Sequence, residues 1–145
     1  TASASSTLDF ETKRDYRYQV ANMFDNDFST SWVEGRDGYG EGECFYLGFE
    51  MDNFNISGIA MVNGYASSEN FYTANARVHA ATIEITTKNG NQDTFQVQFA
   101  DGMMEYQYIY FEDVYEDVAV VKFTIDSVYP GSQYEDTCIA ELRFT

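Results

Sequence analysis

The chain has one histidine, His79, and two cysteines, Cys44 and Cys138. Zinc held in the usual way by cysteine and histidine needs more ligands than these, so a site of that kind is excluded. Basic residues are scarce as well. Eight Lys and Arg stand against 24 Asp and Glu, a formal charge of -16 over 145 residues. Such an excess repels phosphate backbones and anionic headgroups, which argues against nucleic acid and against electrostatic attachment to membranes. No apolar run approaches the length of a bilayer span, and no basic-then-apolar leader is recognisable. Catalytic signatures are missing too: there is no nucleophile elbow, no phosphate-binding glycine loop and no histidine dyad. Carboxylates are plentiful, but nothing in their spacing sets a glycosidase-like pair apart from solvated surface. The sequence reads as that of a protein that is not an enzyme.

What is present is aromatic. Twelve Tyr and twelve Phe supply the apolar area that a disordered acidic chain lacks, so a folded core is expected. The opening run TASASST predicts a flexible start over residues 1–8, as trimming of a precursor would leave and as an arbitrary boundary would also leave. Cys44 and Cys138 allow either a disulfide, stabilising by about 4–5 kcal/mol on a chain-entropy argument, or two buried thiols. Apolar residues then alternate with polar ones in FYLGF (45–49), ATIEITT (81–87), DTFQVQF (93–99), YQYIYFE (106–112), VVKFTIDSV (120–128) and CIAELRF (138–144). A period of two marks strands with one buried and one wet face. Turn signals separate them at DGYGEGE, KNGNQ, ADG and YPGS, and no segment keeps a helical stripe beyond two turns. The fold class is therefore all-β, an antiparallel β-sandwich or jelly roll, forming a single domain over residues 1–145.

One stretch concentrates oxygen. Asp25-Asn26-Asp27-Phe28-Ser29-Thr30 precedes the only tryptophan, Trp32. Hard cations such as Ca²⁺ take six to eight oxygens from carboxylates, carbonyls and hydroxyls on irregular backbone. An EF-hand with Asp25 in first place fails, because its sixth position is Thr30 rather than Gly and its twelfth is Arg36 rather than Glu. A solvated acidic turn, or a different cation loop with a ligand from elsewhere in the chain, both remain open. Phe24 to Trp32 resembles the A-x-D-G-D-x-x-T-x-W loop of discoidin-like domains, also called coagulation-factor type C domains or galactose-binding-like jelly rolls, with Asn26 in place of the glycine. The closing Ala140-Glu141-Leu142 resembles their S/A-E-I/L. The resemblance implies a structural Ca²⁺ held by Asp25, Asp27, Thr30, Glu141 and the carbonyls of Asn22 and Ala140.

Further stretches narrow the resemblance. WVEG (32–35), GEGECFYLGF (40–49), VNGYASSENFYTANARV (62–78) and IDSVYPGSQYEDTCIAEL (125–142) are similar, in order, to the NADase-type glycan-binding branch of that superfamily. Cys44 stands where that branch has tryptophan, and Ser67 where it commonly has lysine. The resemblance implies glycan binding beside a catalytic partner without making this chain an NADase.

Shallow sugar sites combine an aromatic face for pyranose C–H groups with planar polar groups for hydroxyls. The segments 63–77 and 129–136 offer these, and the candidate ligand residues are Tyr65, Tyr72, Asn75, Arg77 and Tyr134, with Glu34 beside them. Each has a structural alternative. Asn63-Gly64-Tyr65 equally fits a tight turn with glycine at positive φ. Arg77 equally fits an ion pair with Asp136 or Glu34 that clamps two loops. Tyr129 fits a packed edge residue with its hydroxyl on backbone, Trp32 a core residue, and His79 a packed or surface histidine. Asn55-Ile56-Ser57 is a formal glycosylation sequon. The expected function is a secreted or cell-surface carbohydrate-binding module with a glycan as ligand. The alternative is a protein-interaction or adhesion domain, bound to a protein partner or to other domains of a larger protein.

Overall fold

In the computed structural model, residues 1–145 are described apart from the side chain of Glu11. The period-two segments form strands as the alternation requires. In β3 (Cys44–Gly48) Phe45 and Leu47 are buried while Tyr46 faces out. In β5 (Arg77–Thr87) Ala81, Ile83 and Ile85 alternate with half-exposed Thr82, Glu84 and Thr86. β8 (Val118–Tyr129) buries Val121, Phe123 and Ile125 on one face. β6 (Gln92–Gln98), β7 (Gln107–Tyr115) and β9 (Cys138–Phe144) complete the strands expected from periodicity.

Three strands were not legible. β1 (Ala2–Ala4) and β2 (Trp32–Val33) are too short to show a period. β4 (Ile56–Asn63) is long, but seven of its eight residues are buried, so it never alternates. It is the strand between β9 and β7, and Val62 on its outer side packs in a small cluster with Ala66 and Ala140 under Met104 and Tyr106. A strand covered on both faces reads as a continuous apolar run.

The strands build an antiparallel five-stranded sheet in the order β1-β3-β8-β5-β6 and a four-stranded sheet in the order β2-β9-β4-β7. Their inner faces close on one core containing Trp32, Phe45, Ile59, Met61, Ile83, Phe99, Phe123 and Ile139. Phe45 stacks on Phe123 at 4.8 Å and takes the Trp32 ring edge-on at 5.3 Å. Trp32 is thus a core residue, and each such ring contributes about 1.5–3 kcal/mol by burial. Two short helices, α1 (Phe10–Lys13) and α2 (Glu69–Ala74), lie in connections. Ser68 caps α2, its hydroxyl accepting from Phe71 N–H at 3.2 Å.

One expectation is revised and one open choice is closed. The opening residues are paired rather than flexible: Ala2, Ser3 and Ala4 face Leu47, Tyr46 and Phe45, and Trp32 Nε1 donates to Ser6 O at 3.2 Å. The outer edge of β3 carries backbone groups that need partners, and this segment supplies them whatever its polarity. The cysteines are separate buried thiols, Cys44 on β3 and Cys138 on β9.

Candidate functional site

At the end of the sandwich where β4 finishes and β5 and β9 begin, two connections lie against each other. Ser132 N–H donates to Thr73 O, and Gln133 and Tyr134 N–H both donate to Ala74 O, at 2.9–3.1 Å. Ala76 N–H donates to Asp136 O, and Cys138 N–H to Ala76 O. Gly131 permits this, since a Cβ there would run into the backbone of Ala74 and Tyr134. The result is a groove of about 420 Å³ lined by Leu8, Arg17, Tyr18, Val33, Tyr65, Phe71, Asn75, Tyr134 and Asp136. Tyr65 packs edge-on to Tyr18 and tilted against Phe71, with centroids at 6.5 and 5.4 Å. Phe71 and Tyr134 are about half exposed, at 52% and 51%. This is an aromatic wall open to solvent with polar groups beside it.

Of the six candidate ligand residues, the structure brings Tyr65, Asn75 and Tyr134 together in this groove. It places the other three elsewhere. Arg77 is buried, and its Nε and Nη2 donate to the two oxygens of Asp101 at 3.0 and 2.9 Å. Its Nη1 donates to the carbonyls of Tyr72 and Asn75. A loop clamp is what Arg77 forms, but its partner is Asp101 rather than Asp136 or Glu34. Tyr72 is buried under the same guanidinium, with its hydroxyl donating to Asp101 Oδ1 and accepting from Gly102 N–H. Gly64, at φ +77, lets the turn pass close to both, for a Cβ there would lie 2.7 Å from Arg77 Cγ. Glu34 is fully buried, with Oε1 accepting from Thr137 N–H and Oε2 from Arg36 N–H. Burial pushes its carboxyl up to about 7, against the pull of those hydrogen bonds.

Arg17, Tyr18 and Phe71 line the groove without having been singled out from the sequence as ligand residues, and Asp136, a group the 129–136 segment offers, lines it without being one of the six candidates. Asp136 is half-buried, and its carboxylate has no hydrogen-bond or ion-pair partner among the described residues. Burial, reinforced by Asp9 and Glu135, holds it above the ordinary range. Tyr129 donates its hydroxyl to Phe99 O at 2.8 Å, and His79 Nδ1 pairs with Ser127 Oγ at 3.0 Å, so both are packed residues.

The acidic loop folds onto β9. Asp27 N–H donates to Asp25 Oδ1 at 2.9 Å and to Glu141 Oε1 at 3.0 Å, and Thr30 Oγ1 donates to Asp25 Oδ2 at 2.5 Å. The carboxyl groups of Asp25 and Glu141 meet. Burial and the contact with Asp25 push Glu141 up to about 7. Burial would raise Asp25 also, but its bonds to Thr30 and Glu141 outweigh that and hold it low. The register of β9 on β4 steps from Glu141 to Ile139, leaving Ala140 in a bulge outside the ladder. Asp25, Thr30 and Glu141 are thus in mutual contact beside the Ala140 bulge, and they offer only oxygens, the donor type a hard cation takes. Of the other expected ligands, Asp27 uses Oδ1 to accept from Ser29 N–H, and the Asn22 side chain donates to the carbonyls of Arg17 and Ser31, which holds the segment without involving the Asn22 carbonyl. Among the described residues no three His, Cys, Asp or Glu side chains are grouped to hold a metal by themselves. An ion here would depend on backbone and hydroxyl oxygens.

Comparison with known proteins gives one family and many folds of the same kind. The family described as the NAD glycohydrolase translocation F5/8 type C domain matches residues 1–145. No curated protein matches the chain. Among solved structures, the F5/8 type C domain of a Bacteroides fragilis protein is 14% identical with a TM-score of 0.73, over 99% of this chain and 89% of that one. The family 32 CBM from C. perfringens NanJ, in complex with galactose, is 17% identical with a TM-score of 0.70, over 98% and 90%. A Clostridium perfringens CBM32 domain in complex with glcNAc-alpha-1,4-galactose is 15% identical with a TM-score of 0.62, over 99% and 88%. These likenesses establish the antiparallel sandwich as the fold.

Proposed function

Because the chain belongs to the NAD glycohydrolase translocation F5/8 type C domain family, we propose that it is a non-catalytic carbohydrate-binding module of a secreted or cell-surface protein, which takes glycans in the groove between residues 64–76 and 129–137. The observation that carries this reading is the groove itself. Tyr65, Phe71 and Tyr134 offer ring faces to the C–H side of a pyranose, while Asn75 and Asp136 offer oxygens to its hydroxyls. The backbone bonds between the two connections fix the groove before any ligand arrives, so little ordering entropy opposes binding. Two structural relatives in complex with sugars support the ligand class.

The same proposal includes a structural Ca²⁺ held by Asp25, Thr30, Glu141 and the Ala140 carbonyl. An ion there would neutralise the paired carboxylates and tie the acidic loop to β9. It lies apart from the groove and takes no part in ligand contact.

A second reading, contact with a protein partner or neighbouring domain, draws on an apolar groove of about 1010 Å³ at the other end of β9, where Phe24, Phe49, Met51, Phe54 and Phe144 meet. A glycan array read with labelled protein in calcium buffer separates the two. Coherent binding to one sugar class is expected; a blank array from folded protein overturns the glycan reading in favour of a protein partner. On the same preparation EDTA should lower the melting temperature, as removal of any native-state ligand does. An unchanged melt would remove the calcium.

A further inference from the structure

The polar groups of the groove are unequal. Among the described residues Arg17 is the one cation on its lining, and that charge is already matched: Nε and Nη2 donate to Asp15 Oδ2 at 2.8 and 2.6 Å, and Arg17 N–H donates to Asp15 Oδ1 at 3.0 Å. Asn75 uses Nδ2 on Phe71 O at 3.0 Å, which leaves Oδ1 as an acceptor. Asp136, ionised, can only accept, and none of the described residues donates to it. Further carboxylates surround it. Asp9 and Glu135 act on Asp136 through space, and Asp136 in turn acts on buried Glu34 behind the wall. The unmatched charge of the groove is therefore negative, in a chain whose net charge is -16.

The three chemical kinds of sugar fare differently in such a field. A uronic or sialic acid brings a carboxylate against carboxylates. A neutral sugar can donate a hydroxyl to Asp136 but leaves the charge uncompensated. An ammonium group supplies three donors and a compact positive charge at one point, and its bond to a carboxylate is about twice as strong as a neutral one.

Resting on the glycan reading of the groove, we infer that the preferred ligand is a sugar with a free amine, a 2-amino-2-deoxypyranose unit, with Asp136 as counter-ion to the ammonium. Tyr65, Phe71 and Tyr134 hold the C–H face of the ring, and the Asn75 Oδ1 accepts from a hydroxyl. Acetylation of the amine removes both the charge and two donors, so the groove discriminates between an amino sugar and its N-acetyl form.

The test is calorimetric titration of the whole chain, in calcium buffer at a pH that keeps the amine protonated. The probes are the glucosamine tetramer, the N-acetylglucosamine tetramer and the galacturonic acid trimer. The free-amine tetramer should bind about tenfold or more tighter than the acetylated one, the scale of one charge-assisted hydrogen bond, and the acid trimer should be weakest. Asp136→Asn should erase that preference, weakening the free-amine tetramer far more than the acetylated one. Glu112→Gln, on the exposed outer side of β7, should retain the preference and so controls for the overall acidity of the protein. Equal binding of amine and acetylated probes by the unmodified chain overturns the inference, as does an Asp136→Asn protein that keeps the preference. A glycan array positive only for neutral or acidic sugars overturns the inference alone. A blank array removes it together with the reading on which it rests.

Discussion

Two clusters at the same end of the sandwich are built from the same residue types. Around Arg77 stand Tyr72 and Asp101; around Asp136 stand Arg17, Tyr65 and Tyr134. The first cluster is closed. The Arg77 guanidinium lies over the Tyr72 ring at 5.0 Å, both Asp101 oxygens accept from it, and the Tyr72 hydroxyl both donates and accepts within the protein. The second is open, with half-exposed rings and a carboxylate that none of the described residues engages. Composition does not separate a clamp from a recognition surface. What separates them is whether the donors and acceptors are already used.

The comparison can be broken most severely at Arg77. Removing one partner of a largely buried, bidentate pair strands the other, and Arg77→Ala should cost about 2–3 kcal/mol, below the fully buried case because Asp101 is 38% exposed. Denaturant unfolding measures this. Glycan affinity of the protein that remains folded should be unchanged. A stable Arg77→Ala protein that no longer binds would place the ligand at the closed cluster instead.

Glu34 sharpens the contrast, as a carboxyl that has partners yet still lacks solvent. Held at about 7 against an ordinary 4.5, it keeps its proton in the folded chain while the unfolded chain has lost it. Stability should therefore fall as pH rises from about 4.5 through about 7, then level off, by about 3 kcal/mol in all. Glu34→Gln should remove that slope. Measuring both proteins in EDTA leaves Glu141, shifted in the same direction, as a common background. Equal slopes would show that Glu34 does not titrate there.

The smallest effect is expected on the open side. Tyr134→Ala should weaken glycan binding about tenfold, some 1.4 kcal/mol, and shift the melting temperature by no more than a degree or two, because the ring is already half in water. A large loss of stability would make Tyr134 a packing residue and erase the distinction.

Much of the fold was legible because β3, β5 and β8 alternate buried with less buried residues, and β6, β7 and β9 carry enough of the same period in sequence, although β9 buries Cys138 to Leu142 without a break. The acidic loop and its mate Glu141 were legible through motif resemblance, and the structure brings both together although 114 residues separate Asp27 from Glu141. The six candidate ligand residues divided evenly, with Glu34 buried away from the groove. Tyr65, Asn75 and Tyr134 face the groove, while Tyr72 and Arg77 turn to Asp101, a residue in an unremarkable ADG turn. No pattern in the sequence gives that pairing, since it depends on how the β6–β7 connection lies over α2. Arg17 and Tyr18 were invisible for a related reason: they come from an irregular segment that reaches the groove only once the sandwich has closed. The buried strand β4 was missed because covering both faces erases the only periodic signal a strand carries.

The backbone bonds joining residues 73–76 to 132–138 have a kinetic consequence. A groove whose two walls are stitched together main chain to main chain has no lid to close and no loop to order after encounter. Association should then proceed in one step, at similar rates for related sugars. Preference among them would be expressed in how long each stays, so residence time is where this domain does its sorting.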